Sequence, residues 1–373
     1  MPSPLPKRPT QRLIAREAGL SIGTVSMALR SDPRITAEVR RHVQEVASRM
    51  GYHPDPKLSS LMQHLRVAGN VEYRETLAYI STYASYDQWN WASHHDYYLG
   101  AAERALDLGY HIDIFHLGEP GMTTERMSRL LVARGIRGLL LGGSIRTGAT
   151  LDMHWRHFVA IAFDYSLVSP NVHRATSNYY LEMASVLRRL EAEGCRRIGL
   201  NANSSDDIKV LGLWHAAYLL YQEQLPCARR IPINSSPDGK GSLVAWAGRH
   251  RPDAIISAGC CDFPRDYAAA TGGEAPAGIR YVNMNIAYAD QRSRGVDKLS
   301  HKVGRLACEH LVARLQRNES GLPTDPEISA IEGTWVEDFG AWKAGHETWR
   351  KAALHKVARP AAYRPAEHED KAT

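Results

Sequence analysis

Residues 10–29, TQRLIAREAGLSIGTVSMAL, constrain the fold more than any other part of the chain, because they spell two short helices joined by a tight turn. Ala15 is small where a first helix must lie close against a second, and Val25 is a β-branched wedge that fills the angle between them. Gly19 falls where the turn needs positive φ, a conformation glycine adopts at little steric cost. Ser21 opens the second helix as an N-cap, its hydroxyl accepting a backbone N–H. The pattern is a helix-turn-helix whose second helix offers its outward residues to a DNA major groove. A third helix over 37–50 is capped by Thr36, carries Glu38 in its first turn, and places Val39, Val43, Val46 and Ala47 on one face.

The charge distribution points the same way. The 373 residues include 46 Lys and Arg against 40 Asp and Glu, a formal net charge of +6. Residues 1–66 hold eleven of the basic and five of the acidic residues, so the whole excess lies on the helix-turn-helix segment. A basic segment on a neutral body is the footprint of a phosphate-binding module. Arg12, Arg16, Arg30, Arg34 and Lys57 are its candidate phosphate contacts; such contacts position a module, while base contacts specify sequence. The first residues lack the apolar stretch of a signal peptide, and no apolar run approaches the roughly 20 residues that cross a bilayer. A cytoplasmic protein with no membrane partner is expected. The five cysteines include no C-x-x-C pair, and the adjacent Cys260 and Cys261 suit neither an ordinary disulfide nor a zinc site. Reduced thiols, no metal and no cofactor are expected.

Prolines at 54 and 56 stop any helix, so 52–56 reads as a linker, and 57–66 as a helix too short to stand alone. From residue 76 the pattern alternates: strands at 77–81, 111–116, 136–141 and 159–163, helices at 97–109 and 123–135. A second series starts near 175, with helices at 180–194, 208–224 and 241–249 and strands at 197–202, 230–233, 254–257 and 279–282. A helix over 299–317 and a strand over 328–331 follow. Such alternation predicts an α/β core of two similar subdomains, each a parallel sheet with helices on both faces, and a cleft between them. The expected domains are a headpiece over 1–54, a hinge helix and linker over 55–72, and an effector and dimerisation core over 73–344. Crossovers are placed near 176, 288 and 324. The tail over 345–373 lacks an apolar face after Trp349 and is expected to be disordered.

Residues 10–66 resemble the headpiece of the lactose/galactose-repressor (LacI/GalR) family. The residues that carry the resemblance are Ala15, Ala18, Gly19, Ser21, Thr24, Val25, Ser26, Ala28 and Leu29, then Pro33, Ile35, Thr36, Gly51, Tyr52, Pro54 and Pro56. Gly194 to Ile198 (GCRRI) and Val303-Gly304-Arg305-Leu306-Ala307 with Leu311 resemble two motifs of the family's core. The resemblance implies a helix-turn-helix headpiece, a hinge helix and a core like periplasmic sugar-binding proteins. It implies homodimers, or dimers of dimers, on near-palindromic double-stranded operators, with a small molecule such as a sugar in the cleft. By the same resemblance Ser21, Ile22, Gly23, Thr24, Ser26, Met27 and Arg30 face the groove, and Leu61 aligns with the leucine wedged into the minor groove. Met27 stands where family members often have arginine, and Ile22 and Gly23 where longer polar side chains are frequent, so few side chains here make bidentate base contacts.

In the core, ligands of open α/β sheets bind outside the carboxyl ends of strands. Trp89, Trp91, Asp164, Tyr165, Asn178, Lys209, Asn283 and Asn285 fall at such ends and are the candidate effector contacts. Lys209 replaces the family's sugar-binding arginine, Gly259-Cys260 its Asn-Asp, and Asn285 its aspartate, which weakens the case for a simple hexose. Asp262 is a weaker candidate. Three other motifs are read as structural. GLSIG at 19–23 matches a nucleophile elbow but lacks the preceding strand, and GKGS at 239–242 lacks the glycine a phosphate loop needs. His154 and His157 lack a third metal ligand. The reading is a ligand-responsive transcriptional regulator, a repressor and not an enzyme; the alternatives are a solute-binding protein without a DNA role and an α/β enzyme.

Overall fold

Two units make up the chain, 1–73 and 74–373. The structure, a computed structural model, describes residues 11–29, 35–50, 75–86, 93–143, 148–235 and 240–358. The proposed hinge over 57–66, and with it Lys57 and Leu61, lies outside the described residues, as do Arg30, Arg34, Trp89 and Trp91.

In the first unit α1 (Gln11–Glu17), α2 (Ile22–Leu29) and α3 (Ala37–Arg49) pack around Ile14, Ala15, Val25, Ala28, Val43, Val46 and Ala47. Ala15 and Val25 are buried at the crossing as their size and shape require. Gly19 has φ +66°, and Leu20 N–H donates to Ala15 O at 3.0 Å to close the turn. Thr24 N–H donates to Ser21 Oγ at 3.0 Å, and Val39 N–H to Thr36 Oγ1 at 3.4 Å, so both expected caps form.

The second unit contains two parallel sheets. The first takes β1 (Glu75–Ser81), β2 (Tyr110–His116), β3 (Gly138–Leu141), β5 (Val159–Phe163), β7 (His173–Ser177) and β12 (Ile328–Ile331), in the order β12-β7-β5-β3-β1-β2. A small separate pair, β4 (Ala149–Thr150) and β6 (Leu167–Ser169), lies beside it in sequence. The second sheet takes β8 (Ile198–Ala202), β9 (Ala254–Ala258), β10 (Arg280–Asn283), β11 (Arg294–Asp297) and β13 (Thr334–Val336), in the order β13-β11-β10-β9-β8, with only β13 antiparallel. The near-continuous apolar runs of β1, β3, β5 and β9 are those of strands covered on both faces. The chain therefore crosses between lobes after Ser177, after Asp297 and between Ile331 and Thr334. The second and third crossings fall about ten residues beyond those expected, because β11 and β13 are short strands with little apolar signature.

Three further differences have local causes. The helix expected over 208–224 is two helices, α7 (Ser204–Lys209) and α8 (Leu213–Glu223), because Leu211 and Gly212 both take positive φ, 57° and 70°. The strand expected over 230–233 is absent; Asn234 makes an isolated bridge to Asn201. The tail expected to lack structure is helical to Val357, as α12 (Phe339–Val357).

The helix α4 (Ser93–Asp107) and the helix α11 (Ser300–Gln316) cross almost backbone to backbone in the first lobe. A Cβ on Gly304 would meet Tyr97 O at 2.0 Å, and one on Gly100 would meet His301 O at 1.9 Å. Overpacking a tight contact costs about 1–3 kcal/mol and more where backbone must move. Gly304→Ala should therefore lower the melting temperature measured by differential scanning fluorimetry, and Gly304→Val should lower it further; a melting temperature equal to wild type for both would show that the helices separate freely.

Candidate functional site

In the first unit the outward positions of α1 and α2 carry the sequence-derived DNA contacts. Arg16, Ser21 and Gly23 are exposed, and Thr24 and Met27 are half-buried. The Ser21 hydroxyl is shared between its capping role and a 2.8 Å bond with Thr24 Oγ1, which orders both hydroxyls at the start of α2. Arg12, Ile22 and Ser26 belong to these helices, but their side chains lie outside the described set.

In the second unit a cavity of about 160 Å³ opens between the carboxyl ends of both sheets, the place the topology favours for a ligand. Tyr83, His94 and Asp164 line it from the first lobe, with Tyr179 at the crossing. Asp206, Lys209, Trp214, Cys260, Asn285 and Tyr288 line it from the second, and Lys298 from the chain just after β11.

Asp164 is the centre of the polar wall. It follows β5 in a left-handed conformation, φ 53°, that an aspartate tolerates better than most residues. Its carboxylate accepts Tyr97 OH at 2.9 Å, Thr176 Oγ1 at 3.0 Å and Tyr179 OH at 2.6 Å, and its carbonyl accepts Arg174 Nη1 at 2.9 Å. Burial, with the adjacent carboxylate, pushes the hydroxyls of Tyr97 and Tyr179 well above the usual phenol range, so both stay protonated and donate. Lys298 Nζ donates to Tyr179 OH at 3.1 Å and lies 4.5 Å from the centre of that ring. Burial holds the His94 imidazole below its usual pKa, hence neutral, and its Nδ1 is buried without a partner among the described residues.

On the second-lobe side, Asp206 accepts Cys260 N–H at 2.9 Å and Lys209 Nζ at 3.4 Å. The hydrogen bond from Cys261 lowers the pKa of the Cys260 thiol, while that of Cys261 is raised.

Of the sequence-derived effector contacts, Asp164, Lys209 and Asn285 line the cavity. Tyr165, Asn178 and Asn283 do not. The Tyr165 ring packs near Tyr179 and the Arg174 guanidinium. Asn178 caps the helix α6 (Tyr179–Ala192) by accepting Leu181 N–H at 3.3 Å. Asn283 is spent on Cys261 O and Asp262 Oδ2, both at 3.1 Å, and on Asn285 N–H. Asp262 caps the helix α10 (Phe263–Thr271) and also accepts Ser293 Oγ, a structural use of the carboxylate. His154 pairs with Glu125, and His157 accepts from Arg156, and no group of three metal-ligating side chains exists among the described residues. Tyr83, His94, Tyr179, Asp206, Trp214, Tyr288 and Lys298 are among the wall residues sequence reasoning missed. Lys298 carried a usable signal, a lysine in the turn between an apolar strand end and a long helix, but only once β11 is recognised.

Comparison with known proteins agrees with this geometry. Residues 12–55 match the family "Bacterial regulatory proteins, lacI family". The amino-terminal unit is a lacI-family domain. No curated protein matches the chain. Among solved structures, the transcriptional regulator CelR in complex with cellobiose is 19% identical, with a TM-score of 0.51 over 89% of this chain and 99% of that one. The Lac repressor bound to ONPG in its repressed state is 16% identical, with a TM-score of 0.50 over the same shares. A LacI-family regulator, CCPA of Weissella paramesenteroides, with bound sucrose, is 14% identical, with a TM-score of 0.50 over 71% of this chain and 97% of that one. At these identities the likeness establishes the fold: a lacI-type headpiece followed by a two-lobed, periplasmic-binding-protein-like α/β core.

Beside the cavity, Glu182 on α6 is buried; Gly333 N–H donates to its Oε1 at 3.0 Å, and its Oε2 has no partner among the described residues. Burial pushes its carboxyl up to about 7, against the opposing pull of the Lys298 ammonium. A carboxyl raised on folding contributes stability that is complete below its unfolded pKa, about 4.3, and is lost as pH rises through the folded value. Glu182→Gln, which mimics the protonated form, should melt above wild type at about pH 8 and lose that advantage at about pH 5. An equal difference at both pH values would show that Glu182 does not titrate in this window.

Proposed function

We propose that the chain is a sequence-specific DNA-binding transcriptional regulator, acting as a repressor, whose operator affinity is set by a small molecule in the cavity between the two lobes. The observation that carries the reading is the lacI-family match on a three-helix unit built around Ala15, Gly19 and Val25. Arg12, Arg16, Arg30, Arg34 and Lys57 hold phosphates. Ser21, Ile22, Gly23, Thr24, Ser26 and Met27 meet base edges, and Leu61 wedges the minor groove. A homodimer places two α2 helices in successive major grooves, roughly 34 Å apart, on a near-palindromic site. The molecule in the cavity is read as an effector rather than a substrate because the family matched by the amino-terminal unit is one of regulatory proteins.

Selection from random duplex DNA with the full-length chain should return a palindromic site, and removal of residues 1–66 should abolish its binding in a mobility-shift assay. Specific binding retained by the truncated chain would overturn the assignment. Met27→Arg should move the selected site toward guanine at one position in each half-site, the contact arginine makes with O6 and N7. An unchanged site would remove Met27 from the groove.

A further inference from the structure

The carboxylates of the cavity are spent within the protein, and the strongest donors are not. Three of the roughly four lone-pair positions of Asp164 are taken by hydroxyls from Tyr97, Thr176 and Tyr179. Asp206 is taken by Cys260 and Lys209. By contrast Lys298, 7% exposed, uses one of three N–H bonds, on Tyr179, and forms no ion pair within 4.0 Å among the described residues. Asn285, also buried, spends its Oδ1 on Ala287 N–H, and its amide nitrogen makes no hydrogen bond among the described residues. Trp214 Nε1 is buried in the same wall without an acceptor among the described residues. A buried ammonium with two open donors is costly unless a counter-charge arrives.

The size of the site limits what can bring that charge. About 160 Å³ is close to the roughly 150 Å³ that admits a single six-membered ring. Tyr83 and Tyr288 in the lining supply aromatic surface suited to the apolar side of such a ring. The wall carries one ammonium without a carboxylate partner, Lys298, whereas Lys209 is paired with Asp206. One open ammonium matches a monoanion; a phosphate dianion calls for more cationic donors than the wall supplies.

Accepting that the cavity is the effector site, we propose that the effector is a hydroxylated carboxylate of monosaccharide size, a sugar acid, whose carboxylate binds Lys298 Nζ and the Asn285 amide while its hydroxyls face Asp164 and His94. The departures of Lys209, Cys260 and Asn285 from the residues expected for a neutral hexose then have a common reason, since the recognition charge has moved to Lys298.

Isothermal titration calorimetry on the full chain tests this with glucuronate and galacturonate, with gluconate, with glucose and galactose as neutral counterparts, and with glucose 6-phosphate. At least one of the three acids should bind about tenfold or more tighter than its neutral counterpart and than the phosphate, the gain of a charge-assisted hydrogen bond. Lys298→Met should remove that preference, and Lys298→Arg should keep it. A neutral hexose or the phosphate binding at least as tightly as the acids overturns the proposal, as does a preference that survives in Lys298→Met. So does the absence of binding by all three acids in a chain that melts cooperatively. A neutral sugar that releases the operator would sink this inference and leave the regulatory reading standing.

Discussion

The carboxylate of Asp164 ties three elements of the core together at the wall of the cavity. It is nearly withdrawn from water, and it is stable there only because three hydroxyls converge on it from three elements: Tyr97 on α4, Thr176 on β7 and Tyr179 on α6. A buried carboxylate is expensive unless it is fully hydrogen-bonded, and breaking such a set leaves the charge uncompensated. The requirement fixes the lateral position of α4, which already has little freedom because Gly100 and Gly304 bring it against α11. It also fixes Tyr179 at the first crossing between lobes, and through Tyr179 it places the ammonium of Lys298. Cavity wall, helix packing and lobe crossing thus share one electrostatic constraint.

The headpiece was legible in the sequence because its information is local. Ala15, Gly19, Ser21, Val25 and Thr36 each answer a steric or capping demand set by neighbours within a few positions, and each is used as expected. The parallel strands were legible for a related reason: strands covered on both faces read as apolar runs. The limits of this reading are seen at β11 and β13, where Arg294, Asp297 and Thr334 dilute the pattern, and at 211–212, where two left-handed residues interrupt an apolar periodicity that continues across the break.

The carboxy-terminal helix α12 shows a different limit. Ala353 is its one fully buried residue, so it has almost no apolar stripe to detect. Trp349 and Val357 pack partly against the first-lobe core beside Ala353, and polar groups add to the docking. Asp96 on α4 pairs with His346 Nε2 at 2.9 Å and Arg350 Nε at 3.2 Å, Trp349 Nε1 donates to Glu103 Oε2 at 3.2 Å, and Trp342 Nε1 to Asp297 Oδ2 at 2.9 Å. Each of these bonds joins residues far apart in sequence, and hydrophobic periodicity carries no trace of them. The same holds for the cavity. Strand ends could be located, which found Asp164 and Asn285, while Lys209 closes the helix α7 instead; whether a side chain at a strand end faces the cavity or caps the next helix depends on partners from other elements. Asn178 and Asn283 are spent as cap and brace for that reason.

The position of Lys298 has a consequence for how occupancy of the cavity reaches the lobes. The residue lies on the second crossing; its carbonyl accepts from Ser177 Oγ at 3.4 Å, on the first. Glu182, whose titration responds to the Lys298 ammonium, is held by Gly333 N–H on the third. Charge introduced beside Lys298 therefore acts where all three connecting segments meet, not on a remote wall of one lobe. A ligand shifts a conformational equilibrium only by its difference in affinity for the two states. Placing a donor with open N–H bonds on the crossing itself makes that difference sensitive to the angle between the lobes, because any change in that angle alters the distance between the ammonium and the second-lobe wall of the cavity at Asn285.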